Sequence, residues 1–164
     1  RPQADLRPLE AVAVAMSLES LYQELILQHY RRPQHRGVLE SPSAEISMNN
    51  PVCGDEITLR MRVSGGVIDA VRFTGQGCSI SQASASMMAQ QLEGRTLDSA
   101  RELARKFTLL MHGDPEVVRD PDLGDLRALA GVSKFPVRVK CALLAWNALN
   151  EAEKALFSHP ADSD

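Results

Sequence analysis

Apolar and polar positions change period along the chain, and each change predicts an element. Leu18, Leu21, Tyr22, Leu25, Ile26, His29 and Tyr30 recur at helical spacing, which predicts an amphipathic helix ending before Pro33. From about 44 to 73 the period falls to two. Ile57, Leu59, Met61 and Val63 alternate with Thr58, Arg60 and Arg62, and Val67, Val71 and Phe73 continue the pattern beyond Gly65-Gly66. This predicts a hairpin with one wet face, joined by a third strand around Ile46 and Met48. After Gly77 the helical period returns. It gives a small-residue helix over Ser79–Leu92 and a second from the N-cap Thr96 to about His112. A short helix near Leu126–Ala130 follows, then a long one that Pro136 opens and that runs to about Phe157. The prolines and acids of Asp114–Gly124 read as a loop between them. Strands first and helices afterwards predict an α+β fold: a small three-stranded antiparallel sheet packed against several helices, the last of them long.

The two ends stand outside this rhythm. Residues 1–16 carry two prolines and no sustained period, too mixed for a secretory signal, and read as a flexible N-terminal extension. Residues 17–157 read as a single domain and 158–164 as a flexible tail. The whole chain, at 164 residues, supports one core without disulfide staples. Only 4% of it is aromatic, so that core must be mostly Leu, Val, Ala and Met. With 18 basic against 21 acidic side chains, the net charge of −3 argues against a phosphate-binding face and hence against nucleic acid. No apolar run approaches the ~18–20 residues that cross a bilayer. Three cysteines cannot all pair, which favours a reducing, cytoplasmic setting.

Those cysteines carry the candidate chemistry. Cys53 sits in Asn49-Asn50-Pro51-Val52-Cys53-Gly54-Asp55, a turn feeding the hairpin. Cys78 sits in Gly75-Gln76-Gly77-Cys78-Ser79, where a strand gives way to a helix, and Cys141 lies within about two turns of the start of the last helix. Each stands beside glycine, proline or a helix N-terminus rather than mid-element on an apolar stripe. Glycine admits close backbone approach, and the positive end of a helix favours thiolate over thiol. Asp55 stands two residues from Cys53, so an extended backbone puts both side chains on one face. Three thiolates and a carboxylate suit zinc, and a mostly thiolate set suits an iron–sulfur cluster. No CxxC knuckle fixes the geometry locally, and spacing alone fits three unrelated reduced cysteines as well.

Other candidates divide between chemistry and packing. Arg138, one helical turn before Cys141, can lower a thiol pKa or pair with Asp55; a solvated arginine near Lys134 and Lys140 reads equally well. His29 shares the apolar face of the first helix and reads as a core histidine bonded to backbone, whereas His112 before Gly113 reads as a helix C-terminus. Ser81, Ser84 and Ser86 lack an evident His/Asp pairing and read as small residues of a tightly packed helix. Gly75-x-Gly77 is too short for a nucleotide fingerprint.

Four motifs in order then carry a resemblance. They are Leu21-Tyr22…Ile26…His29-Tyr30…Pro33…Gly37, Asn50-Pro51-Val52-Cys53-Gly54-Asp55, Gly75-Gln76-Gly77-Cys78-Ser79-Ile80-Ser81-Gln82-Ala83-Ser84 and Arg138-Val139-Lys140-Cys141-Ala142-Leu143. From about Leu21 to Ala155 the chain resembles the IscU/SufU family of iron–sulfur cluster assembly proteins, and more closely its SufU-like branch. The resemblance implies the α+β fold above and a metal set of Cys53, Asp55, Cys78 and Cys141. Scaffold-type members carry histidine just before the third cysteine, where this chain has Lys140, and have a shorter segment between Cys78 and Cys141. Both departures, together with Arg138, match the branch that carries sulfur with zinc. That branch implies a zinc-dependent sulfurtransferase that takes persulfide sulfur from a PLP-dependent, SufS-like cysteine desulfurase onto Cys53. In related proteins a desulfurase histidine replaces that cysteine on the metal, and the arginine matching Arg138 engages the freed acidic ligand. The sulfur would pass to a downstream iron–sulfur scaffold or apo-protein. The alternative is a scaffold on which a [2Fe–2S] cluster is assembled and passed on.

Overall fold

The computed structural model describes residues 19–158. The expected extension over 1–16 lies outside the described residues, as does the expected tail over 158–164 except for Ser158, which is the last residue of the final helix. Helix α1 occupies residues 19–31 and stops before Pro33, as its apolar spacing predicts. Strands β1 (Ala44–Asn50), β2 (Asp55–Ser64) and β3 (Val67–Gln76) follow, then helices α2 (Ser79–Leu92), α3 (Leu97–Met111) and α4 (Pro136–Ser158).

The three strands form one antiparallel sheet in the order β1-β2-β3. Ile57, Leu59 and Met61 point into the core, while the opposite face carries the Arg60–Glu45 ion pair (2.9 Å) and the Ser47–Thr58 hydroxyl contact (2.7 Å). One expectation fails here. Val67 is exposed and Ile68 buried, because the pairing slips at Arg62/Val63 and the bulge reverses which side chains face inward.

Helices α2 and α4 cover the apolar face, α4 lying on β1 and β2 and α2 on β3. They also pack on each other, which explains the small residues of α2. The Ser84 hydroxyl donates to the Ala142 carbonyl (2.6 Å) and accepts from the Trp146 indole N–H (3.2 Å), a close approach that large side chains would block. Thr96 caps α3 through its hydroxyl, which accepts from the Ser99 N–H at 3.0 Å, and His112 ends that helix. Phe107 of α3 stacks on Trp146 with centroids 4.7 Å apart.

The acidic segment after α3 is more ordered than its composition suggests. Two 3₁₀ stretches, Val117–Arg119 and Pro121–Lys134, replace the expected loop and short helix, with a break at Gly124 (φ 54°). Its acids are clamps rather than solvated charges: Asp120 meets Lys106 at 2.8 Å and Asp122 meets Arg95 at 2.9 Å. Among the described residues no helix is long and apolar enough to cross a membrane.

The sheet register determines what meets at one end of the molecule. Asn50 pairs with Asp55 across β1 and β2, and Glu56 pairs with Gln76 across β2 and β3. The turn between β1 and β2 and the junction between β3 and α2 therefore lie side by side, and the first turns of α4 close over them.

Candidate metal centre

Cys53 is presented by a tight turn rather than an extended strand. Its N–H and that of Gly54 both donate to the Asn50 carbonyl (3.2 and 2.9 Å), and Gly54 takes φ +71°, a left-handed conformation that glycine adopts without cost. The expected alternation of Cys53 and Asp55 on one strand face is thus replaced by a turn that folds the thiol back over the start of β2. Next to it, Val52 is 81% exposed, so the turn is the outermost part of the site.

Asp55, the first residue of β2, is fully buried. Its Oδ1 accepts from the Cys78 N–H at 2.9 Å, and its Oδ2 has no hydrogen-bond partner. Cys78 caps α2, its sulfur accepting from the Ser81 N–H at 3.5 Å. Cys141 lies in the second turn of α4, near the helix start as expected, and is nonetheless fully buried. Its sulfur stands 3.3 Å from that of Cys53 and 3.6 Å from the Val137 carbonyl.

One ligand atom each from Cys53, Asp55 and Cys141 lies within 4.8 Å of the other two. Cys78 stands just outside this trio, yet its thiol still adjoins that of Cys141. Burial pushes the Cys141 thiol well above its ordinary range, and Cys53, Asp55 and Cys78 push it the same way. Three sulfurs and a carboxylate converge where burial disfavours the Cys141 thiolate, and the Asp55 Oδ2 is left without a donor. A soft-to-borderline divalent cation resolves both problems, so this donor set fits a metal.

Gly77 makes the arrangement possible. A Cβ there would lie 2.3 Å from the Asp55 Oδ1, and the backbone holds φ +148°. Gly77→Ala is expected to push the carboxylate out of place and weaken metal binding by about tenfold or more, the scale on which supporting residues act. Competition for zinc against a coloured chelator measures this directly.

The remaining candidates fall outside the cluster. Arg138 is exposed, lines a shallow groove with Ser79, Ile80 and Phe135, and makes no ion pair with Asp55. His29 is buried as expected, but its partners are side chains: Nδ1 meets the Ser86 hydroxyl at 2.7 Å and Nε2 meets Asp125 at 3.0 Å. This corrects the expectation that no His/Asp pair accompanies the serines. The constellation is nevertheless structural, since Ser86 is fully buried and its oxygen also accepts the Gln34 N–H at 2.7 Å. It ties α1 to α2 and to the 3₁₀ segment. Gln82, which the sequence offers only as part of the third motif and with no role of its own, lies one turn into the helix that Cys78 caps.

Comparison with known proteins identifies relatives of the chain. Residues 21–155 match the family model described as NifU-like N terminal domain. The chain is 46% identical over 135 residues to the zinc-dependent sulfurtransferase SufU of Bacillus subtilis (strain 168), covering 82% of this chain and 90% of that one. It is 42% identical over 137 residues to the iron–sulfur cluster assembly scaffold protein IscU of Streptococcus pyogenes serotype M1, covering 84% and 85%. A crystal structure of a candidate scaffold protein for the SUF system from Fervidobacterium islandicum AW-1 superposes with a TM-score of 0.73 at 34% identity, covering 79% of this chain and 93% of that one.

Proposed function

Since the chain belongs to the IscU/SufU family of iron–sulfur cluster assembly proteins, whose domain is the NifU-like N terminal domain, we propose that it is a zinc-dependent sulfurtransferase receiving persulfide sulfur on Cys53. The observation that carries this reading is the asymmetry of the thiols. Cys141 is locked in α4 and Cys78 caps a helix, whereas Cys53 rides an exposed turn hinged at Gly54, 3.3 Å from Cys141. The turn can carry the Cys53 sulfur toward another protein, whereas Cys78 is fixed by the start of α2 and Cys141 is buried.

The sulfur source is a PLP-dependent, SufS-like cysteine desulfurase that holds its sulfur as a cysteine persulfide. The Cys53 thiolate attacks the outer sulfur, a new S–S bond forms at Cys53, and the old S–S bond breaks. The desulfurase cysteine leaves as a thiolate, so no net oxidant or reductant is consumed. Asp55, Cys78, Cys141 and Cys53 would hold the zinc, whose charge keeps the thiols ionised. Arg138, exposed on the groove beside Ser79 and without an ion-pair partner among the described residues, would receive the freed carboxylate during the exchange. The recipient is a downstream iron–sulfur scaffold or apo-protein, and the reduced thiols suit a cytoplasmic setting.

A second reading, assembly of a [2Fe–2S] cluster on the same donors, has the thiolate-rich set and the scaffold relatives in its favour. Metal analysis of the freshly purified chain separates the two. The sulfurtransferase reading expects about one zinc per chain, no visible absorption, and faster desulfurase turnover when the chain is added. Iron and acid-labile sulfide in place of zinc would overturn it.

A further inference from the structure

We infer that Gln82 is a positioning residue of the metal centre, a buried crosslink that sets the separation of Asp55 and Cys78; the inference rests on the metal-binding reading above. Gln82 lies one turn into α2 and is 2% exposed. Its side-chain amide donates to the Ser81 hydroxyl (3.2 Å) and, more weakly, to the Glu56 carbonyl (3.5 Å). The Ser81 hydroxyl in turn donates to the Cys78 carbonyl at 3.1 Å. The Cys78 N–H closes the loop on the Asp55 Oδ1 at 2.9 Å. The result is a ring of polar contacts running from Glu56 through Gln82, Ser81 and Cys78 back to Asp55, which is covalently next to Glu56.

The ring joins the two places where ligands enter the site from the sheet. Strand β2 delivers Asp55 in its first position, and α2 is capped by Cys78. Neither the sheet ladder nor the helix ladder connects them directly, because β3 ends at Gln76 and α2 begins at Ser79. Gly77, in between, contributes no side chain to brace the gap. The amide of Gln82 spans it through Glu56 and Ser81.

A glutamine buried for packing alone would satisfy its own polar atoms or be replaced by an apolar residue of similar volume. Gln82 does neither: its Oε1 is buried without a partner, at a cost that the two donor contacts must offset. What those contacts provide is a fixed distance between two metal donors, and supporting hydrogen bonds of that kind are worth about tenfold to a hundredfold in metal affinity. Ser81 is the relay in the same ring.

The test uses the full chain with three variants. Gln82→Met keeps the volume and removes both donors, Ser81→Ala removes one hydroxyl, and Ser81→Thr keeps it. Zinc affinity is measured by chelator competition, and donor geometry by the d–d spectrum of the Co²⁺-loaded protein. Gln82→Met and Ser81→Ala are each expected to lose at least about tenfold in zinc affinity and to shift the cobalt bands, with Ser81→Thr remaining close to the parent chain. Parent-like affinity and spectra in Gln82→Met, or in Ser81→Ala should Gln82→Met not fold, would overturn the role of Gln82. Failure of the parent chain itself to bind zinc or cobalt would instead overturn the metal-binding reading on which it rests.

Discussion

Cys53→Ala is expected to return a cysteine desulfurase to its unstimulated rate while leaving the domain folded. The fold should survive because the side chain sits on the turn between β1 and β2, half-buried and outside the core, so its truncation opens no cavity among packed elements. The activity should vanish because no other thiol can take its place. Cys141 is fully enclosed in α4, and Cys78 is held by the first turn of α2 through the Ser81 N–H. Loss of rate alone would not separate a sulfur acceptor from a metal ligand, since Cys53 is proposed as both. A single turnover with isotopically labelled cysteine, followed by alkylation and peptide mass spectrometry, makes the distinction. The label is expected on Cys53 of the parent chain. Label on Cys78 or Cys141, or full stimulation by Cys53→Ala, would remove Cys53 as the acceptor.

How far such a site can be read from sequence depends on which interactions are local. The strand alternation at Ile57–Val63, the Thr96 cap and the Pro136 start all depend on neighbours within a few residues, and all appear as expected. The motif resemblance placed Cys53, Asp55, Cys78 and Cys141 together, and the structure gathers three of them tightly with the fourth alongside. The reason for their convergence was less legible. The spacing of Cys53 and Asp55 suggested an extended strand, whereas the turn anchored on the Asn50 carbonyl is what brings the thiol in. Contacts made across the fold were not visible at all. His29 and Ser86 are 57 positions apart, and the Glu56–Gln82 contact spans 26. The acids of the segment after α3 read as a loop because their partners lie elsewhere in the fold, Arg95 before α3 and Lys106 within it.

The second large effect is expected at Asp55, with opposite signs for metal binding and for the metal-free fold. Asp55→Ala should weaken zinc binding by more than about a hundredfold, beyond what a supporting residue contributes. The metal-free domain should melt no lower than the parent, and the argument is electrostatic. Without a cation, a fully buried carboxylate faces three thiols with its Oδ2 unpartnered, so removing it relieves a desolvation cost even though the Cys78 N–H loses its acceptor. A structural aspartate would behave otherwise, losing stability with and without metal. Asp55→Asn sharpens the comparison. Its side-chain oxygen can still accept the Cys78 N–H and so preserve the start of α2, but it brings no charge to the cation. Calorimetric melting of both variants with and without zinc therefore measures two separable quantities. If Asp55→Asn binds zinc as tightly as the parent, the carboxylate is a brace for Cys78 and not a ligand. If both variants hold zinc weakly while their metal-free melting stays at or above that of the parent, the buried charge is retained for the ion, and the fold tolerates it for that purpose.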